Sequence, residues 1–592
     1  MKELLSGNEA VARGAFEAGV ALAASYPGTP STEILETLAE RFPSVYSQWS
    51  PNEKVAFEVG IGASIGGKRA LVTMKHVGLN VAADPFMTFA YTGVNGGFVI
   101  VSADDPEMHS SQNEQDNRYF ARFGQIPLLE PADSQESKDM LLTAYEMSEL
   151  FDTPVMVRMT TRISHSKGIV EIGPQTEGPN KKFVKDPGKY VMIPSNAKKR
   201  HVVVTERLAK LERFAEETPL NLIENNGSKV GIICGGVSYQ YANEVAPNLD
   251  YLKIGMGYPL PMKKIEQFIK SHDLVLVIEE LEPFYEDQIK AAGLKVEGKK
   301  YFGRLGELSP FRVAKGLKEA GVINHVPAPT LEVGQMFPRP PVLCPGCPHR
   351  GAFMALKKLG VAVTGDIGCY TLGVMEPLNA LDTCICMGAS IGSAIGMERV
   401  KGSDKGTVAV IGDSTFIHSG ITGLLDAVYN QSNVTVIILD NRATAMTGGQ
   451  QHPGTGKTLM EKDTYQLDVP TLVRALGVKN VRELDPYDYD VTLNAIKEEM
   501  ANPGPSVIIT RRPCVLMPKR IMDEPYVVDL DLCTACGACF RISCPAIAAS
   551  TETNKHGHPK AVIDETLCTG CTLCSQVCPP EAIILKSQYV KA

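Results

Sequence analysis

The sequence predicts a multidomain α/β protein that ends in a small cysteine-dense module, and three observations carry that prediction. Short apolar runs alternate with helical periodicity along most of the chain, the pattern of parallel-sheet units. At 592 residues the chain is too long for one core, and ~100–200 residues per domain gives three to five domains. Eight of the fifteen cysteines lie within the last sixty residues.

Composition narrows the function classes. The net charge is −8 with no basic tract, which argues against nucleic acid or anionic membrane surfaces as partners. No run approaches the ~18 apolar residues needed to span a bilayer. The apolar stretch Val20 to Ala24 follows Glu9, Arg13 and Glu17 and has no basic leader. It is therefore expected to close the first amphipathic helix of a cytoplasmic protein, not a signal peptide. Without a secretory signal, fifteen cysteines point to metal and not to disulfides.

Residues 1–170 are expected to form one parallel α/β domain, with strands near Ala70–Met74, Phe98–Val101 and Pro154–Val157. The turn Tyr26-Pro27-Gly28-Thr29-Pro30-Ser31-Thr32 leads into a helix that Ser31 or Thr32 is expected to cap. A second helix starts at Glu53, and Ala56, Gly60, Gly62, Ala63 and Ser64 give it a face of small residues for close approach. The Glu53 carboxylate has two readings: complementing the helix dipole, or serving as a functional acid. The loop from Asp104 to Arg118 is polar enough to border a substrate, without a role that its residues assign.

Residues 171–228, irregular at first and then a Lys/Arg/Glu-rich helical stretch, read as a linker, and 229–325 as a smaller α/β unit with strands at Val230–Cys234, Leu252–Ile254 and Leu274–Ile278. Cys234 is expected in its core. A proline-rich connector (Pro327, Pro329, Pro338, Pro340, Pro341) then leads to a third α/β domain, 335–515. Within it, the apolar run from Val408 stops at Gly412-Asp413-Ser414, and Ile421, Leu424, Leu425 and Val428 follow at helical spacing. A second run, Val434–Leu439, ends at Asp440-Asn441. Asp413 and Asn441 thus sit at the carboxyl ends of two expected neighbouring strands, where open α/β sheets bind ligands. Two hard oxygens suit Mg²⁺, which fills its remaining positions with phosphate and water. A Gly-Asp-Ser turn is also ordinary punctuation after a strand.

The cysteines are more specific. Residues 525–592 hold Cys533-x2-Cys536-x2-Cys539-x4-Cys544 and Cys568-x2-Cys571-x2-Cys574-x3-Cys578. The second run has bacterial two-cluster ferredoxin spacing, in which the fourth cysteine of each run ligates the other cluster. One [4Fe–4S] cluster then takes Cys533, Cys536, Cys539 and Cys578, and the other Cys568, Cys571, Cys574 and Cys544. The extra residue before Cys544 demands a local bulge. Cys344, Cys347, Cys369 and Cys514 either close a third [4Fe–4S] cluster or are turn and core residues. Cys384 and Cys386 alternate like strand residues and are expected to pack.

These motifs resemble the thiamine diphosphate-dependent 2-oxoacid:ferredoxin oxidoreductases, and within them the large (alpha) subunits of the indolepyruvate type. The resemblance covers nearly the whole chain. It rests on Tyr26 to Ser31, Glu53 and its helix, Cys344-Pro345-Gly346-Cys347, Gly412-Asp413-Ser414 through Thr447-Gly448-Gly449-Gln450, and the C-terminal cysteines. It implies two thiamine diphosphate-binding-type parallel-sheet domains, with residues 1–170 taking the pyrimidine end and 335–515 the diphosphate end. It also implies a transketolase C-terminal-like domain at 229–325 and a ferredoxin-like domain at 525–592. Asp413, Asn441 and the carbonyl of Ala443 become Mg²⁺ ligands, although the family's usual Gly-Asp-Gly…Asn-Asn stands here as Gly-Asp-Ser…Asp-Asn. Thr29, Gly412, Ser414, Thr447 and Gly448 become cofactor contacts, and Glu53 the catalytic acid on the pyrimidine, with Glu58 as fallback. The implied reaction is oxidative decarboxylation of arylpyruvates with coenzyme A, with electrons passing through the clusters to ferredoxin. A small gamma-type partner subunit is implied, two copies of each chain together. Pyruvate or 2-oxoglutarate as substrate, or a non-catalytic electron-transfer subunit, are the alternatives; the clusters argue against a plain decarboxylase.

Overall fold

The computed structural model describes residues 1–326, 340–403, 406–517 and 522–589. Pro327, Pro329 and Pro338 of the expected connector, and the expected boundary at residue 335, lie outside the described residues. The chain folds into two compact units, 1–335 and 336–592.

The first unit is built on a seven-stranded sheet. Its order is 256–258, 128–129, 155–160, 98–104, 70–75, 22–25 and 46–49, parallel except for the first strand. The central strands Ala70–Lys75 and Phe98–Asp104 are buried throughout, as near-continuous apolar runs in a parallel sheet require. A four-stranded sheet follows, ordered 274–278, 230–235, 250–254 and 221–224. Cys234 is fully buried on it.

The segment expected to be a linker is only partly one. Residues 194–217 form a 24-residue helix, and Asn221–Glu224 pairs antiparallel with Asp250–Ile254 as an edge strand. The helix burial is narrow, confined to Val204, Arg207, Leu211 and Ala215, which is why its sequence reads as charged and irregular. The strand Met256–Tyr258 likewise leaves the smaller sheet's neighbourhood and edges the large sheet against Leu128–Leu129.

Buried ion pairs tie the Asp104–Arg118 loop down. Arg158 bridges Asp104 (2.6 Å) and Glu130 (2.7 Å), and Arg118 bridges Asp116 (2.5 Å) and Glu279 (2.7 Å). Arg118 also donates to the carbonyls of Glu280 and Glu282. The loop is therefore anchored to the second sheet by charges that each have a partner, the condition under which buried charge is tolerated.

The second unit carries a six-stranded, wholly parallel sheet ordered 383–384, 362–365, 407–412, 435–440, 506–511 and 480–484. The cysteine-rich segment adds two antiparallel pairs, 526–528 with 583–585 and 547–553 with 559–563. Its Val528, Ile542, Leu573 and Ile583 share one apolar core with Phe353, Ile437 and Ile508 of the sheet domain.

Candidate functional site

In the second unit, strands Thr407–Gly412 and Thr435–Asp440 are parallel neighbours with Gly412 opposite Leu439. Asp413 and Asn441 thus follow adjacent strand ends, and both are buried. Asp413 begins a helical turn that passes through a π-turn at Phe416–Gly420 into the helix Ile421–Tyr429; such π-turns are frequent at functional sites.

The Asp413 carboxylate accepts the N–H groups of Ser414 (2.8 Å) and Arg442 (2.8 Å), and His452 Nε2 lies 3.3 Å from it. Burial opposes its charge, but His452 and these donors outweigh burial and hold the carboxyl below its ordinary range. Asp440 moves the other way, raised by burial and by the charge of Asp413. Asn441 Oδ1 accepts from Ala443 N (3.3 Å), its Nδ2 meets His349 Nε2 (3.3 Å), and its carbonyl accepts from Cys514 N (2.9 Å). His349 is fully enclosed and lowered to about 4 by burial, against the pull of Asp413.

The donor set fits a hard cation with a polyanion. Two buried residues with side-chain oxygens follow adjacent strand ends, and buried His452 Nε2 has only the 3.3 Å approach to Asp413, so that a diphosphate oxygen would supply a better-aligned partner. Ser414 Oγ accepts from Thr444 Oγ1 (3.0 Å), so the serine of Gly-Asp-Ser ties the two strand ends together. Gly412 has a different reason to be glycine: a Cβ there would meet Tyr370 Cε1 at 2.6 Å, and Tyr370 stacks edge-on against His349. Thr447 and Gly448 lie farther out on a loop closed by the Thr447–Gln450 hydrogen bonds.

Cys344, Cys347, Cys369 and Cys514 come together beside this anchor. Burial, then the neighbouring Cys514 and Cys344, push Cys369 up to about 11, and burial pushes Cys347 up to about 12, with Cys344 and Cys369 adding to it. Cys514 feels both Cys344 and Asp413. Four neighbouring thiols, Cys347 buried and the other three half-buried, suit a metal cluster, which takes them as thiolates. Cys384 is half-buried, but Cys386 is exposed and does not pack as expected.

The C-terminal cysteines separate into the two expected groups. Cys533, Cys536, Cys539 and Cys578 line one cavity. Cys544, Cys568, Cys571 and Cys574 line another. The extra residue before Cys544 is absorbed at Ser543, whose φ of 60° makes the required bulge.

In the first unit, three neighbouring parallel strands end together. The Thr29 turn follows Leu22–Ser25, Glu53 follows Tyr46–Trp49, and the short helix His76–Val81 follows Ala70–Lys75. Gly28 is pressed against Lys75, whose Cβ would lie 3.1 Å from an added Cβ. Glu53 is buried as the first helical residue, while Glu58 is exposed and paired with Lys54; the fallback is thereby set aside. Asn52, not Glu53, caps this helix by accepting from Val55 N (2.9 Å).

Two local expectations fail here. Ser31 stands at the N-cap of its helix but makes no side-chain cap; its hydroxyl turns back to the Gly28 carbonyl (3.0 Å). Of the small residues, Ala56, Gly60 and Ser64 form the close-packed row, one helical turn apart, with Gly60 against Val72 and Phe98. Gly62 has open space around it. The sequence reading also missed Gly78, where an added Cβ would strike Glu53 Oε1 at 2.6 Å. No local motif marks it. His349 and His452 were equally missed, although His349 directly follows Cys344-Pro345-Gly346-Cys347-Pro348.

Three family models match the chain: pyruvate flavodoxin/ferredoxin oxidoreductase, thiamine diphosphate-binding, at residues 13–210; thiamine pyrophosphate enzyme, C-terminal TPP binding domain, at 366–510; and a 4Fe-4S dicluster domain at 532–582. The chain is 41% identical to the indolepyruvate oxidoreductase subunit IorA of Archaeoglobus fulgidus, over 98% of this chain and 97% of that one. It is 42% identical to the same-named subunit of Thermococcus kodakarensis, over 98% and 96%, and 39% identical to that of Methanothermobacter thermautotrophicus, over 98% and 97%. The thiamine diphosphate-binding and iron–sulfur domains expected from the sequence are both present, and the chain belongs to the IorA family of indolepyruvate oxidoreductase subunits, enzymes of the 2-oxoacid:ferredoxin oxidoreductase class.

Proposed function

We propose that this chain is the large subunit of an enzyme that oxidatively decarboxylates arylpyruvates, indolepyruvate foremost, with coenzyme A. The products are the arylacetyl-CoA and CO2, and the electron pair leaves one electron at a time for ferredoxin. The observation that carries the reading is the crowding of Cys344, Cys347, Cys369 and Cys514 against Asp413 and Asn441, because a cluster held there would be a one-electron acceptor beside the residues that would anchor the cofactor.

Asp413, Asn441 and the Ala443 carbonyl would hold Mg²⁺, with Ser414, Gly412, Thr447 and Gly448 bordering the diphosphate. His452 Nε2–H would donate to a diphosphate oxygen. Glu53 would hydrogen-bond the aminopyrimidine and carry the proton relay at that ring, with Thr29 alongside. Thiamine diphosphate, when bound, supplies the electron sink that decarboxylation of a 2-oxoacid needs. The clusters would hold the electrons until ferredoxin takes them. A small gamma-type subunit would complete the enzyme, two copies of each chain together.

The test is ferredoxin reduction by the two-subunit complex with coenzyme A and indolepyruvate, phenylpyruvate, pyruvate or 2-oxoglutarate in turn. Arylpyruvates are expected to give the highest kcat/KM. A preference for pyruvate or 2-oxoglutarate would overturn the substrate assignment, and no coenzyme A dependence would overturn the acyl acceptor.

A further inference from the structure

Arg350 is completely buried. Among the described residues it has no carboxylate partner. Its Nη1 donates to the carbonyls of Ile542 (2.7 Å) and Ser543, and its Nη2 to those of Leu343 (3.0 Å) and Cys344 (2.8 Å). Its Nε is buried with no hydrogen-bond partner at all. Removing an unpaired guanidinium from water costs several kcal/mol, and breaking even with carbonyl dipoles alone is difficult. Such a charge calls for an anion.

Arg350 stands between two cysteine groups, since its charge acts on both Cys347 and Cys571, and the cavity that it lines says which one it serves. It lines the cavity walled by Cys544, Cys568, Cys571 and Cys574. Two of its acceptors, Ile542 and Ser543, immediately precede Cys544. The loop before it, Cys344 to Cys347, is pressed onto the same cavity: Gly346 has a φ of 65°, and a Cβ there would overlap Thr569 Oγ1 at 1.9 Å. Among the described residues, the companion cavity of Cys533, Cys536, Cys539 and Cys578 is lined otherwise by apolar and small residues, with no charged side chain.

We propose that Arg350 is the resident counter-charge of the cluster held by Cys544, Cys568, Cys571 and Cys574, and that it sets this cluster's reduction potential above that of its companion. An iron–sulfur cube with four thiolates carries net negative charge, and reduction adds one electron while no bond forms or breaks. A fixed cation in a dry cavity stabilises the more negative, reduced form. The inference rests on the reading that the eight C-terminal cysteines hold clusters in these two groups.

Redox titration of the iron-replete complex, followed by electron paramagnetic resonance, tests it. The two C-terminal clusters are expected to differ at least tenfold in one-electron reduction constant, about 59 mV. The higher-potential signal should be the one lost in Cys571→Ser. Arg350→Lys should keep the separation, and Arg350→Gln should lower the higher midpoint by at least that tenfold factor with iron content unchanged. Coincident midpoints in the iron-replete wild type, or a higher-potential signal that survives Cys571→Ser, would overturn the proposal even if Arg350→Gln fails to assemble. So would an Arg350→Gln protein with full iron and unmoved midpoints. Wild-type protein that takes up no C-terminal iron would instead remove the cluster assignment beneath it.

Discussion

Replacing Gly78 by alanine separates the position of the Glu53 carboxylate from its presence. Gly78 lies in the short helix His76–Val81 with no left-handed φ, so its backbone accepts alanine, and alanine gains ~1 kcal/mol over glycine inside a helix. The new Cβ would stand 2.6 Å from Glu53 Oε1, 2.8 Å from Cγ and 3.0 Å from Cδ, whereas ordinary contact begins near 3.4 Å. The carboxylate must therefore withdraw by roughly 0.8 Å, and a displacement of about 1 Å at a catalytic group costs up to ~100-fold. The end of a glutamate side chain moves without disturbing the core, so the thermal midpoint should hold within a few degrees. Turnover, read as 2-oxoacid-dependent and coenzyme A-dependent ferredoxin reduction, should fall roughly 10- to 100-fold, about 1.4–2.7 kcal/mol of barrier. Because both changes act through one carboxylate, Gly78→Ala combined with Glu53→Gln should be no slower than Glu53→Gln alone. Wild-type turnover by Gly78→Ala, or losses that multiply in the double variant, would refute the reasoning.

Wild-type protein is expected to gain thermal midpoint with thiamine diphosphate and Mg²⁺, a stabilisation of about 2.7 kcal/mol at a hundredfold excess over Kd, and Asp413→Ala should abolish that gain. Cys369→Ser should bring iron from about twelve per chain to about eight, while wild-type iron near eight would contradict a third cluster. Burial pushes Glu280 up to about 7 from its ordinary 4.5, with Arg158 and the Leu308 N–H pulling the other way. A folded value above the unfolded one means that its stabilising contribution is full below about 4.5 and lost as pH rises through about 7. At about 1.36 kcal/mol per unit the loss is at most ~3 kcal/mol. Glu280→Gln should therefore narrow the gap in thermal midpoint between pH 5 and pH 8, measured by calorimetry, and an unchanged gap would remove Glu280 as its source.

Much of the architecture was legible because its signals are local. The runs Val408–Ile411 and Val434–Leu439 became adjacent parallel strands because β-branched, doubly buried segments have few other stable arrangements. Ser31 departs from the expected cap because a hydroxyl near a helix start can either accept a first-turn N–H or donate to a nearby carbonyl, and here it donates to that of Gly28. Residues 194–217 are helical as their Lys/Arg/Glu-rich pattern predicts, but they read as part of a linker because only a narrow stripe of that helix is buried, too little to stand out from its charge.

The sequence by itself determined the α/β class, the two C-terminal cysteine runs and the places of Asp413 and Asn441 at strand ends, since each depends on spacing within a few residues. Only the tertiary structure decided that Gly78 presses on Glu53, that His349 and His452 close around Asp413 and Asn441, and that Arg350 reaches the cavity of Cys544. Those contacts join residues brought together by chain crossings and core packing, and neither leaves a periodicity for a sequence to display.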